Sequence, residues 1–131
     1  NFIIILLICI FTDIGGYLFG KVFKGPKLTS YSPNKTFSGL IGSYLLTLIL
    51  IPILFYFNLF QGIDILLITM YFVLISTVSQ LGDITISIFK RKSNIKDTGN
   101  IIPGHGGLLD RIDGMLFSFP FAYVILSNNL I

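Results

Sequence analysis

The sequence has no tryptophan and no glutamate, and its 131 residues include one histidine and one cysteine. Charged residues of both signs make up only 11% of the chain, whereas 53% of the residues are hydrophobic. A soluble domain carries about 25% charged residues, so that class is excluded. The single cysteine, Cys9, excludes an intrachain disulfide framework. Together with a mean hydropathy of +0.87, these absences indicate an integral membrane protein.

Four apolar stretches predict about four transmembrane helices, at residues 2–19, 40–57, 63–81 and 115–126. We expect the third to continue as helix to about residue 89, and the fourth reaches spanning length only if it begins near residue 108 or 109. No stretch shows the two-residue alternation of a barrel strand. The fold class is therefore an all-α integral membrane protein.

The basic residues predict the orientation of the chain. All nine lie in or beside two polar stretches, residues 21–38 and 90–107, and none follows Asp113. By the positive-inside rule both stretches are cytoplasmic loops, so both ends of the chain lie on the outer side of the cytoplasmic membrane. Because the chain opens on Asn1 within an apolar run, we expect a C-terminal fragment of a longer polytopic protein.

Asp83 is the first of the charged residues expected at membrane depth, where an ionised side chain costs about 2.5–3.5 kcal/mol at the helix centre. On a helix, Ser87, Lys90 and Arg91 share its face. A carboxylate, a hydroxyl and two cations in line suit a metal with phosphates beside it. A helix end with solvated or paired charges explains the same pattern equally well.

Asp110 and Asp113 form a second acidic group, one helical turn apart at the start of the fourth apolar stretch. Capping of a helix N-terminus explains one carboxylate there but explains the pair poorly. Oxygen ligands without a set of His or Cys residues favour Mg²⁺ over zinc. Asp13 is either an ion-pair partner of a loop lysine or part of the same polar cavity, and the sequence leaves both open.

The loops add groups suited to phosphate. The segment "PGHGG", residues 103–107, permits the tight turns in which backbone N–H groups bind anions, although such turns are also common without a ligand. The segment "YSPNKTFSG", residues 31–39, brings Ser32, Lys35 and Thr36 to the entry of the second helix, where Thr36 or Ser38 also serves as a helix cap. Metal, phosphate and lipid together indicate phosphoryl or nucleotidyl transfer.

The segment "SIFKRKSNIKDTGNIIPGHGGLLDRID", residues 87–113, resembles the signature of the phosphatidate cytidylyltransferases, or CDP-diacylglycerol synthases. Upstream, "DIGGYLFG" and "SPNKTFSG" are similar to two further motifs of that family. Ser38 stands where the family usually has glutamate, so no role is assigned to it. The resemblance spans Asp13 to about Asp113. Members of the family are substantially longer, so residues 1–131 are interpreted as a single transmembrane catalytic region similar to their C-terminal half.

The resemblance implies a role for each residue that matches the family's motifs. Asp83, Asp110 and Asp113 would hold the metal centre, chiefly Mg²⁺ with a second cation left open, and with Lys90 they are the expected catalytic residues. The expected substrate-binding residues are Ser32, Lys35, Thr36, Ser87, Arg91, Lys96, Asp97, His105, Gly106, Gly107 and Arg111.

The resemblance also implies a reaction, in which CTP and phosphatidic acid give CDP-diacylglycerol and pyrophosphate at the cytoplasmic face of the bilayer. No nucleic acid partner is expected, and a homodimer is left open. The nearest alternative is a CTP-dependent polyprenol or dolichol-type lipid kinase. An ion-coupled transporter fragment and a catalytically inactive scaffold are further alternatives. We expect the chain to be inactive without the spans that the longer members carry, because polar cavity walls would face lipid.

Overall fold

The computed structural model describes residues 2–29, 35–60, 62–93 and 109–127, with side chains in the last range from residue 114 onward. These residues form four α-helices: α1 (Phe2–Phe23), α2 (Phe37–Tyr56), α3 (Ile65–Lys92) and α4 (Leu109–Ser127). Within these ranges the extended pairing is limited to one isolated bridge between Lys27 and Thr36. The predicted all-α architecture is confirmed.

The helices differ in how much of their length is apolar. The first three are long and apolar enough to cross a membrane, whereas the apolar part of α4 found in the described residues is the shorter Gly114–Ser127. The α4 helix itself begins at Leu109, which is the start that spanning length required. With 28 residues, α3 is about 42 Å long. It therefore exceeds a hydrocarbon core of about 30 Å and carries its last turns into the polar region.

Two side chains cap helices at opposite ends of the bundle. Thr36 is the N-cap of α2, and its hydroxyl accepts a hydrogen bond from the Gly39 backbone N–H at 3.1 Å. Asp64 is the N-cap of α3, where its carboxylate accepts a hydrogen bond from the Leu66 N–H at 3.1 Å. Such caps satisfy N–H groups that have no partner within the helix. The two caps fix where α2 and α3 begin.

Glycines allow α1 and α2 to pack with their backbones close together. A Cβ atom on Gly15 would lie 2.6 Å from the carbonyl oxygen of Gly42, and one on Gly39 would lie 2.6 Å from the carbonyl oxygen of Gly16. Small residues at such crossings are the usual means by which membrane helices approach closely. The close crossing holds the start of α2 beside the second half of α1.

The helices alternate in direction, so the end of α1 and the start of α2 lie at the same end of the bundle as the end of α3 and the start of α4. Gly20, near the end of α1, faces Thr36 at the start of α2, while Gly82 in the second half of α3 faces Phe117 near the middle of α4. The apolar core lies towards the other end, where Ile8, Phe72 and Ala122 are fully buried. The positions of the helix ends therefore agree with the prediction that both basic loops lie on one side of the membrane.

Candidate active site

The centre of the candidate site is an ion pair between Lys35 and Asp83. The Lys35 ammonium donates a hydrogen bond to Asp83 Oδ2 at 3.0 Å, although the two residues are 48 positions apart in sequence. About a quarter of each side chain remains accessible, with relative exposures of 29% for Lys35 and 25% for Asp83. The pair is thus partly screened from solvent yet open to a ligand.

The loop before α2 holds Lys35 at this position through backbone hydrogen bonds. The Leu28 N–H donates to the Lys35 carbonyl oxygen at 2.8 Å, and the Phe37 N–H donates to that of Pro26 at 3.0 Å. The Ser38 hydroxyl accepts a hydrogen bond from the Gly25 N–H at 3.2 Å. This gives Ser38, to which no role was assigned, a part in closing the loop that carries Lys35.

The position of Asp83 along α3 places it near the end of the membrane-spanning part. It lies 18 residues after the first residue of α3, which corresponds to about 27 Å along the helix axis. This is close to the thickness of the hydrocarbon core, about 30 Å. A carboxylate at this depth is reachable from the aqueous phase and from the lipid head groups.

The second turn of α4 lies directly against Asp83. A Cβ atom on Gly114, the sixth residue of α4, would be 2.8 Å from Asp83 Oδ1 and 2.5 Å from the Ser79 hydroxyl oxygen. Only glycine allows the α4 backbone to approach α3 this closely, and Gly114 directly follows Asp113 in the chain. The α4 backbone at Gly114 therefore lies beside the Asp83 carboxylate.

The remaining predicted residues of α3 follow Asp83 along the same helix, which continues to Lys92. The Ser87 hydroxyl donates a hydrogen bond to the Asp83 carbonyl oxygen at 2.7 Å, so it is turned towards the helix backbone. Lys90 is half-buried and Arg91 is exposed. Thr36, the other described candidate, uses its hydroxyl as the cap of α2.

Several predicted residues lie outside what the structure describes. Asp110, Arg111 and Asp113 belong to the first turns of α4, but their side chains are not among those described; Ser32, Lys96, Asp97, His105, Gly106 and Gly107 lie wholly outside the described residues. Among the described side chains, no group of three His, Cys, Asp or Glu residues is close enough to hold a metal ion. The three-carboxylate metal site stays a prediction.

Asp13, whose role the sequence left open, lies about 16 Å from the start of α1, near the middle of that helix. It follows Thr12, whose hydroxyl donates a hydrogen bond to that of Ser76, seven residues before Asp83 on α3. Its role as an ion-pair partner or as part of the polar cavity stays a prediction.

A belt of buried hydroxyl groups beneath the ion pair was not anticipated from the sequence. The Thr12 hydroxyl lies 3.1 Å from that of Thr47 and donates a hydrogen bond to that of Ser76 at 2.9 Å. The Gln80 side-chain amide also donates to the Ser76 hydroxyl, at 3.3 Å. These bonds join α1, α2 and α3 below Asp83. Hydroxyl residues in apolar helices are the signal that would have pointed to such a belt.

The arrangement offers a carboxylate and a cation beside the second turn of α4, at one end of a membrane bundle. Carboxylates bind cations, and a lysine ammonium binds phosphate oxygens. The chemistry available to these groups is the binding of a cation together with a phosphorylated ligand.

Comparison with known proteins identifies the family. The cytidylyltransferase family matches residues 1–128. The chain is 41% identical over 116 residues to the phosphatidate cytidylyltransferase of Staphylococcus haemolyticus, covering 88% of this chain and 44% of that protein. It is 43% identical over 122 residues to the Bacillus subtilis protein of the same name, covering 88% and 43%.

A third relative gives the same result. The phosphatidate cytidylyltransferase of Staphylococcus aureus is 41% identical over 121 residues, covering 92% of this chain and 46% of that protein. The chain therefore spans less than half the length of these curated relatives. The match of the family to nearly every residue shows that the chain belongs to the cytidylyltransferase family.

Proposed function

We propose that this chain carries the catalytic part of a phosphatidate cytidylyltransferase, which transfers the cytidylyl group of CTP to phosphatidic acid. The observation that carries the proposal is the Lys35–Asp83 ion pair, closed on one side by α4 at Gly114. The family, and relatives at 41–43% identity that are phosphatidate cytidylyltransferases by name, support this choice of reaction.

The reaction couples two substrates that meet at a membrane interface. An oxygen of the phosphatidic acid phosphate attacks the α-phosphorus of CTP, the bond from that phosphorus to the bridging oxygen breaks, and pyrophosphate leaves. The product is CDP-diacylglycerol. Little covalent chemistry is required of the protein, because positioning and charge neutralisation supply most of the acceleration in such transfers.

The residues of this chain have distinct tasks in that scheme. The Lys35 ammonium lies where it neutralises phosphate oxygens of the substrates, and Ser87 donates to the backbone of α3, which steadies the turn that carries Asp83. Lys90 and Arg91 lie about two turns beyond Asp83, at the aqueous end of α3. They are suited to hold the triphosphate, because cations at a helix end that leaves the bilayer meet a water-soluble anion first.

A divalent cation fits the donor chemistry of this site. Asp83 is a hard oxygen donor whose charge is already balanced by a cation, the Lys35 ammonium. Asp83, Asp110 and Asp113 would hold Mg²⁺, which prefers carboxylate oxygens together with substrate phosphates. When bound, Mg²⁺ supplies Lewis-acid polarisation of the phosphates and neutralises the charge that develops on them.

The location of the site suits one substrate that stays in the bilayer and another that stays in water. We place it at the cytoplasmic face of the cell membrane, because all nine basic residues lie in or beside the two loops at this end of the bundle. Phosphatidic acid then reaches the ion pair from the head-group layer, and CTP reaches it from the cytoplasm.

The test uses membranes that contain the full-length parent protein. CTP labelled at the α-phosphate is supplied with Mg²⁺ and either phosphatidic acid or a polyprenol. We expect label to enter the lipid fraction, with release of pyrophosphate, only when phosphatidic acid is present. Formation of CDP with polyprenol and no labelled lipid would instead indicate a lipid kinase.

A further inference from the structure

A polar stripe runs along one face of α3, from the buried hydroxyl belt to the ion pair. It consists of Ser76, Gln80 and Asp83, and residues spaced three or four apart lie one above another on the same side of a helix. Ser76 is fully buried in the belt, and Asp83 belongs to the site. The proposed reaction leaves Gln80, the residue between them, without a task.

The side-chain amide of Gln80 is only partly used within the protein. It donates a hydrogen bond to the Ser76 hydroxyl at 3.3 Å, which holds the side chain towards the belt. A primary amide has two donor hydrogens and an acceptor oxygen, and within the described residues this is the one hydrogen bond that the amide makes. Gln80 is half-buried, so a ligand can reach the rest of the amide.

The depth of Gln80 in the bilayer restricts what that ligand can be. Gln80 lies 15 residues after the first residue of α3, about 22 Å along the axis, and therefore inside a hydrocarbon core of about 30 Å. An amide moved out of water without a replacement hydrogen bond is destabilising. Because free water is scarce at this depth, the polar part of a lipid is the partner that suits this amide.

The same amide lies within reach of the ion pair. Ser79 and Asp83 Oδ1 face the α4 backbone at Gly114, whereas the Gln80 side chain is turned towards the belt. Residues three apart on a helix are offset by about 4.5 Å along the axis, with Cβ atoms about 5–6 Å apart. Gln80 is thus one turn deeper in the bilayer than Asp83, and a lipid whose phosphate meets Lys35 extends past it.

Phosphatidic acid carries its ester groups at the matching level. Its phosphate is attached to glycerol, and the ester carbonyls on the neighbouring glycerol carbons lie deeper in the bilayer than the phosphate. With the phosphate at the Lys35 ammonium, these carbonyls lie at the level of Gln80. An ester carbonyl oxygen accepts a hydrogen bond from an amide N–H, whereas an ether-linked chain has no carbonyl to accept one.

We propose that Gln80 is a specificity-determining residue that donates a hydrogen bond to an ester carbonyl of phosphatidic acid and so selects ester-linked over ether-linked chains. This inference rests on the proposed function, because it concerns the lipid substrate of the same site. Gln80 touches the glycerol esters of that substrate, not the phosphorus and oxygen atoms that react.

The test compares two lipids that differ only in their carbonyl oxygens. Full-length protein in detergent micelles is titrated, without CTP, with dioleoyl phosphatidic acid or with its dialkyl ether analogue of the same chain length and unsaturation, and Kd is measured by native mass spectrometry. We expect the wild type to bind the diester about tenfold more tightly, the scale of one hydrogen bond whose loss leaves a donor unpaired. In Gln80→Met, which has a similar volume but no amide, the preference should fall below twofold.

The matched control is Thr85→Val, which removes a hydroxyl from the opposite face of α3. The Thr85 hydroxyl donates to the Leu81 carbonyl oxygen at 2.7 Å, and its loss should leave the wild-type preference unchanged. Equal affinity of the wild type for the two lipids overturns the inference, and that measurement needs no variant. A wild-type preference retained in Gln80→Met overturns it too, as does loss of the preference in Thr85→Val.

Kinetics separate recognition of the lipid from a structural role. Gln80→Met should raise the KM for dioleoyl phosphatidic acid about tenfold, leave the KM for the ether analogue within about twofold, and change kcat by less than about threefold. Gln80→Asn, which keeps the amide on a shorter side chain, should retain part of the preference. An equal loss with both lipids would show a structural role and overturn the inference.

The two proposals can fail separately. If the protein forms no CDP-diacylglycerol but binds the diester with a preference that Gln80→Met abolishes, the proposed reaction is wrong and the role of Gln80 stands. If CDP-diacylglycerol is formed but the two lipids bind equally, the role of Gln80 is wrong and the reaction stands.

Discussion

The membrane-spanning part of α3 has an aspartate near each of its ends, Asp64 and Asp83, and the two residues make different contacts. Asp64 is exposed and bonds only a short way along the chain, to the Leu66 N–H. Asp83 lies within the helix, partly buried, and pairs with a lysine from another part of the chain. Residue type alone does not distinguish them. Asp64 accepts a hydrogen bond from the backbone of its own helix, whereas the charge of Asp83 is balanced by Lys35 from the loop before α2.

The residues that surround Asp64 and Asp83 also differ in polarity. Near Asp64, the turn between α2 and α3 closes over an apolar cavity of about 120 Å³, whose lining includes Phe60, Ile68 and Tyr71. Near Asp83 the walls are Lys35, the Ser79 hydroxyl and the backbone of Gly114. The groups near Asp64 are mainly apolar side chains that pack together, whereas those near Asp83 are polar and suited to binding a charged ligand. The predictions below test that contrast.

The largest effect is expected from neutralising Asp83. Asp83→Asn should lower CDP-diacylglycerol formation on the order of a thousandfold, because losing one group that stabilises transition-state charge typically lowers kcat by about a hundred- to a thousandfold. Asp64→Asn should leave activity within about twofold, since asparagine is an equally good cap. The measurement is turnover per molecule of membrane-inserted protein. Equal losses of turnover in Asp83→Asn and Asp64→Asn would show that Asp83 matters no more for the reaction than Asp64.

Asp110→Asn and Asp113→Asn should also abolish turnover while membrane insertion stays intact. The reason is that Gly114 brings the second turn of α4 against Asp83, where two more carboxylates would complete a cation site. Turnover and the Mg²⁺ concentration for half-maximal rate are measured in full-length protein. A near wild-type rate in either variant would remove that residue from the metal assignment.

A smaller effect is expected from widening the contact between α3 and α4. Gly114→Ala should cost about 1–3 kcal/mol of stability and also lower turnover about tenfold, because its Cβ would push α4 away from Asp83. Gly15→Ala, at the crossing of α1 and α2, should cost similar stability with less loss of turnover per folded molecule. Thermal unfolding in detergent gives the first quantity, and the lipid-labelling assay gives the second. Equal turnover losses per folded molecule would mean that the α3–α4 contact is not specific to the site.

The smallest effect is expected from Asp64→Ala. Loss of this cap should lower the free energy of unfolding by about 1 kcal/mol and leave turnover of the folded protein unchanged. Thermal unfolding of Asp64→Ala is compared with that of Asp64→Asn, which keeps the cap. A loss of turnover in Asp64→Ala larger than its loss of folded protein would mean that the apolar end also affects the site.

Much of the helical framework could be predicted from the sequence. The third helix was expected to run past its apolar part to about residue 89, and it ends at Lys92. The fourth was expected to begin near residue 108 or 109, and it begins at Leu109. One of the two suggested caps of α2, Thr36, is the residue that caps it. These features are local, because helical hydrogen bonds and caps join residues a few positions apart.

Less of the candidate site than of the helical framework could be predicted from the sequence. The cost of a charge at membrane depth singled out Asp83, Asp110 and Asp113, and Lys35 was one of several loop residues suited to phosphate. The pairing of Lys35 with Asp83, the approach of Gly114 and the hydroxyl belt on Thr12 had no local signature. The side chains of Asp110 and Asp113 lie outside the described part of the chain, so their roles stay predictions.

By itself, the sequence determined that this chain is a set of apolar helices with its cations gathered in two loops. In lipid, backbone groups must bond within their own helix, so an apolar run of sufficient length has one stable form. Which helices meet, and which charges they bring together, was decided only by tertiary structure. Those contacts depend on glycines that admit a neighbouring backbone and on hydroxyls that find partners in other helices. They arise from shape complementarity between segments far apart in the chain, which a linear pattern does not contain.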